Sequence, residues 1–149
     1  MSLSQRIGAS FGKMDLALLL LRLGIGTSVF LFHGLDKISS GPQRWTRLGE
    51  QMQHLGVTFA PLFWGLMASL AESLGSVLIV LGLFFRPAAA ALACTMAVAM
   101  VRHLNLPPGT DNSGWSGASH ALELFTVYVA FLIAGSGRYA LGRRRRTAP

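Results

Sequence analysis

The chain has 149 residues and a formal net charge of +7, with 52% apolar and only 13% charged residues. A water-soluble domain carries about twice that charged fraction, so a soluble globular fold is excluded, and the length suits a single domain. A nucleic-acid-binding role is excluded too. The largest single block of positive charge is the terminal run Arg143-Arg144-Arg145-Arg146, and no basic face is interleaved with aromatics. Beside a membrane helix such a cluster fixes orientation and touches anionic lipid headgroups.

The apolar residues come in long blocks, which predicts membrane spans rather than amphipathic core helices. Met1 to Lys13 is polar and mildly basic, and no Ala-x-Ala site follows the first apolar stretch, so a cleavable signal is not expected. The first span is expected over 16–35, interrupted only by Arg22 and His33; its length of about 20 residues matches a hydrocarbon core. Ser39-Ser40-Gly41-Pro42 reads as a turn. Trp45, Leu48, Met52 and Leu55 then recur at helical spacing, with Arg44, Arg47, Glu50 and Gln51 between them and Gly56 as the stop. This predicts a short amphipathic helix lying in the membrane interface, with a lid on the bundle mouth as the alternative.

A second span is expected over 59–85 with one charge, Glu72, and Arg86-Pro87 as the tight connection to the next. The third, 87–104, is alanine-rich, carries the single cysteine Cys94 and ends in Arg102-His103. One cysteine makes neither an internal disulfide nor a Cys-x-x-Cys pair and reads as a small buried hydrophobe. Pro107 to Gly114 is a loop of turn formers. The fourth span, 118–135, opens with His120 and Glu123. The expected fold is therefore an all-α bundle of four transmembrane helices. On one side of it lie Arg6, Lys13, Arg86, Arg138 and Arg143 to Arg146, and on the other Lys37, Arg44, Arg47 and Arg102. Eight against four places both termini in the cytoplasm.

An ionisable side chain at mid-span costs at least about 2.5 kcal/mol, so those retained there are expected in the bundle interior. Arg22, Gly26, His33 and Lys37 fall on nearly one face of the first helix. Glu72 sits among Ala68, Ser69, Ser73, Gly75 and Ser76, small residues that allow close helix approach. Arg22, His33 and Glu72 are expected to line a polar pocket with His120 and Glu123 at its mouth, and an Arg22–Glu72 ion pair is the structural alternative. Lys37, Asp36 and Arg102 read as boundary residues. His33, His103 and His120 come near one surface, which leaves a metal site open as an alternative, with Met96 and Met100 beside His103.

The run Leu20-Leu21-Arg22-Leu23-Gly24-Ile25-Gly26 followed by His33-Gly34-Leu35-Asp36-Lys37 resembles the first helix of the DoxX family. Ala71-Glu72-Ser73-Leu74-Gly75 with Leu81-Gly82-Leu83-Phe84-Phe85-Arg86-Pro87 resembles its second helix and turn. Ala121-Leu122-Glu123-Leu124 and Gly135-Ser136-Gly137-Arg138-Tyr139 resemble its last helix and exit. The resemblance implies a prokaryotic plasma-membrane protein associated with thiosulfate:quinone oxidoreductase or quinol oxidase assemblies, or with complexes handling thiol and oxidative stress. It thus implies a quinone, held by Arg22, His33, Lys37 and Glu72, and a redox partner subunit; self-association into a homo-oligomer stays open. Metal or small-solute handling through the outer histidines, and a non-catalytic anchor for a partner protein, are the alternative functions.

Overall fold

The computed structural model describes residues 3–142, with side chains from Gly12 onward. The arginine run at 143–146 and the side chain of Arg6, both used in the charge comparison, lie outside the described residues. In lipid every backbone N–H and C=O must be satisfied within the segment, which leaves helix as the solution for a single apolar stretch. Leu3–Val29, a π-helical turn at Phe30–Gly34 and Leu35–Ser39 form one rod, α1. Gly41–Gly49 is α2 and continues into a 3-10 segment, Glu50–Leu55. Pro61–Leu70, a second π-helical turn at Ala71–Gly75 and Ser76–Leu81 form α3; Phe85–Asn105 is α4 and Gly114–Ala134 is α5.

Gly12–Ser39, Pro61–Leu81, Phe85–Asn105 and Gly114–Ala134 are each long and apolar enough to cross a membrane, and the described residues contain no strand. Twenty-one residues, the length of each of the last three, reach about 31 Å, the thickness of a hydrocarbon core. The all-α, four-span expectation is met. The surface agrees with it: Phe32, Phe84 and Ile133 are 74%, 78% and 77% exposed. Such side chains are unfavourable against water and cost nothing against lipid.

The helix ends differ from those expected. The second span stops at Leu81, not near residue 85, because Gly82 adopts a left-handed φ of 71°. Its N–H bonds to the Ile79 carbonyl and that of Leu83 to the Leu78 carbonyl, a paired closure that satisfies the last carbonyls. α4 then starts at Phe85 and Pro87 falls inside its first turn, where a missing N–H costs nothing. α5 starts four residues early, at Gly114, and α1 runs on to Ser39 through its π turn.

The core lies where α4 and α5 pack together, with Leu92, Tyr128 and Phe131 fully buried and Val29 and Ile79 closing it from α1 and α3. α2 is a lid packed on the bundle, not only a helix resting on lipid. A Cβ at Gly49 would overlap the Pro61 carbonyl oxygen and one at Gly65 the Trp45 carbonyl oxygen. Backbone therefore lies on backbone where α2 crosses α3. The Trp45 indole also donates to the Lys37 carbonyl at 2.8 Å, fastening the lid to the end of α1.

Candidate functional site

The two π-helical turns carry the two residues that matter most, His33 and Glu72. A π turn takes in an extra residue and re-aims the side chains around it, a distortion common at functional sites. Here the turns face each other across Gly34, where a Cβ would stand 2.5 Å from the Glu72 carbonyl oxygen and 2.8 Å from the Ser73 Cα. Only glycine permits that approach. One turn further along α1, Lys37 Nζ reaches both Glu72 carboxylate oxygens at 2.6 Å. The Glu72 side chain is 2% exposed and that of Lys37 21%, so a carboxylate enclosed by the bundle is neutralised by an ammonium that still reaches the cavity.

Above this pair lies a cavity of about 810 Å³ bounded by all five helices. Met52, Trp64, Met67, Met96 and Leu124 give it apolar walls. Its polar lining comprises His33, Lys37 and Glu72, with Arg44 and Arg47 from the lid and Arg102, His103 and His120 from the facing ends of α4 and α5. The His33 and His120 rings stand 5.7 Å apart between centroids, inclined at 34°. His33 lies within electrostatic range of Glu72, Lys37 and His120. His103 Nδ1 donates to the Asn112 carbonyl at 2.8 Å. A carbonyl only accepts, so the neutral ring carries its hydrogen on Nδ1 and leaves Nε2 as an acceptor.

The structure brings together His33, Lys37, Glu72 and His120, and it separates two other expected members. Arg22 does not line the cavity. Eleven residues before His33, it sits about 16 Å lower along α1. Arg22 is 1% exposed, and its guanidinium donates to the carbonyls of Ser136, of Val80 at 3.0 Å and of Tyr139 at 3.4 Å. The Arg22–Glu72 ion pair is therefore replaced by the Lys37–Glu72 pair, and Arg22 ties the end of α3 to the chain's exit. Glu123 is also outside the lining: its side chain is 73% exposed and lies 4.0 Å from the His120 imidazole on the outer surface of α5.

The metal alternative built on His33, His103 and His120 is not supported. Among the described residues no group of three or more His, Cys, Asp or Glu side chains could hold a metal ion. His103 is turned to its loop carbonyl. Lys37 and Arg102, read as boundary residues, belong to the cavity. Sequence reasoning missed Trp64, Met67 and Arg47 as lining residues; the amphipathic period of 45–55 put Arg47 off the apolar face, and only the seating of the lid brings it to the cavity. Cys94, expected buried, is exposed on α4 while also lining the cavity.

The fold and its cavity define a class: an integral membrane four-helix protein whose buried ion pair lies beneath an amphipathic lid. The chain belongs to the DoxX family, whose model matches residues 17–104, from α1 through almost the whole of α4. The matched region contains His33, Lys37, Glu72, Arg102 and His103; α5 with His120 lies beyond it. No curated protein and no solved structure matches the chain.

Proposed function

We propose that this protein is a small membrane subunit of quinone-linked redox chemistry, and that the cavity beneath α2 takes the quinone head. The observation that carries the reading is the enclosed Lys37–Glu72 pair beside His33 in a largely apolar cavity of ligand size. The lining fits such a group: apolar and sulfur-bearing side chains for a flat ring, and Lys37 and the imidazoles of His33 and His120 as donors for two carbonyl oxygens. When bound, a quinone supplies two-electron, two-proton redox chemistry. The residues of this chain supply position and protons. Glu72 holds Lys37 in place, and His120 at the mouth and His33 within form a path for protons between the outer surface and the buried pair. The redox partner is a second subunit, since the single thiol of this chain offers no dithiol couple. The reading places the protein in a prokaryotic plasma membrane with both termini cytoplasmic.

Trp64 in the cavity wall makes the test direct. Decylubiquinone is expected to quench tryptophan fluorescence saturably in the parent protein. Trp64→Phe is expected to lose most of that response, and Glu72→Gln to insert normally yet bind the quinone weakly. Quenching that never saturates, or that survives Trp64→Phe undiminished, would remove the quinone from the cavity.

A further inference from the structure

The cavity has more positive charge than its buried carboxylate needs. Four cations line it, Lys37, Arg44, Arg47 and Arg102, against one carboxylate, Glu72. The charge of Lys37 is neutralised by Glu72, and Arg44 is held by Asp36 at 2.5 and 3.0 Å. Arg47 on α2 and Arg102 at the end of α4 have no ion pair or side-chain hydrogen bond among the described residues, and every aspartate and glutamate of the chain lies within those residues. Two guanidinium groups are thus left over at the lid end of the cavity. A neutral quinone ring gives them no counter-charge.

The same cavity has exposed residues in its wall within the membrane-spanning part of the bundle. Ala91 and Cys94 lie in the α4 span, line the cavity and are exposed. Met67, across from them on α3, is 39% exposed and lines it too. A ligand can therefore have its head at the lid and its apolar body running out sideways at mid-membrane depth. Guanidinium pairs match phosphate oxygens in geometry and charge.

The geometry points to a binding site for an anionic phospholipid, its phosphate held between Arg47 and Arg102 and its chains leaving between α3 and α4 past Cys94. This site does not depend on the quinone reading, and either ligand can be present without the other.

Cys94 is the only thiol of the chain and stands at the proposed exit, so its alkylation reports occupancy. The full chain in dodecyl maltoside is treated with N-ethylmaleimide and followed by intact mass. Dioleoylphosphatidylglycerol, at a few times its dissociation constant, should slow the reaction roughly fivefold. Dioleoylphosphatidylcholine and inorganic phosphate should leave the rate unchanged. The double substitution Arg47→Gln, Arg102→Gln should abolish the protection, and Arg47→Lys, Arg102→Lys should keep most of it. Equal protection by phosphatidylcholine would mean that chains merely fill the cavity, and protection by phosphate alone would mean a soluble-anion site. Either result, or full protection in the glutamine variant, overturns the proposal.

Discussion

Arg22 and Lys37 lie on one side of α1 and do different work at different heights. Arg22 feeds three carbonyls from a position with no access to water, and Lys37 neutralises Glu72 at the edge of a cavity. Arg22→Lys would keep the charge and lose the planar fork that reaches several acceptors. It should cost about 2 kcal/mol in unfolding experiments and speed amide exchange from Ser136 to Tyr139, while leaving quinone quenching of Trp64 intact. Glu72→Ala would leave Lys37 without its counter-ion. Removing one partner of a buried pair costs about 3 kcal/mol or more, reduced here toward about 2 because Lys37 still meets the cavity. Replacing both by methionine should restore most of that stability, measured by thermal unfolding in detergent, and abolish ligand binding. Single-residue identity was legible in the sequence as far as burial goes: Arg22 and Glu72 are both enclosed, as charges in apolar runs must be. Their partners were not legible, because helix faces give direction around an axis but not the relative height of two helices.

The π turns and the lid are the elements on which the site depends. Neither π turn has a sequence mark; Phe30–Gly34 and Ala71–Gly75 read as ordinary helix, and they pack against each other across Gly34. The lid was legible as an amphipathic period ending at Gly56, and its seating on α3 was not, since Gly49 and Gly65 belong to segments whose crossing no local pattern specifies. Gly49→Leu should force α2 off α3 by the width of a side chain. Trypsin cleavage after Arg44 and Arg47 should then rise several-fold in reconstituted protein, with the four spans still inserted. Unchanged cleavage would show that the lid is held elsewhere. The early stop at Gly82 and the early start at Gly114 were missed for a related reason: apolar residues continue past Gly82, and the loop composition before Ala118 concealed the first turn of α5.

At the scale of the molecule, the membrane sets the architecture and the cavity is what remains open within it. Helices of about 31 Å with bulky apolar side chains turned outward are stable in a bilayer without a large common core. The buried hydrophobic residues accordingly concentrate where α4 meets α5. The four spans were legible because hydrocarbon thickness fixes their length, and the family because its motifs keep their order along α1 and α3. The cavity was legible only as a cluster of charges with nowhere else to go. The proposed quinone head sits beneath α2 among α1, α3, α4 and α5. Photolabelling the protein in membranes with an azido-quinone and mapping the adducts by mass spectrometry tests that placement most directly. Adducts are expected at Met52, Trp64, Met67 and Met96, and should disappear when unlabelled quinone competes. Adducts confined to the lipid-facing Leu20, Phe32 or Ile133, or unaffected by competitor, would contradict it.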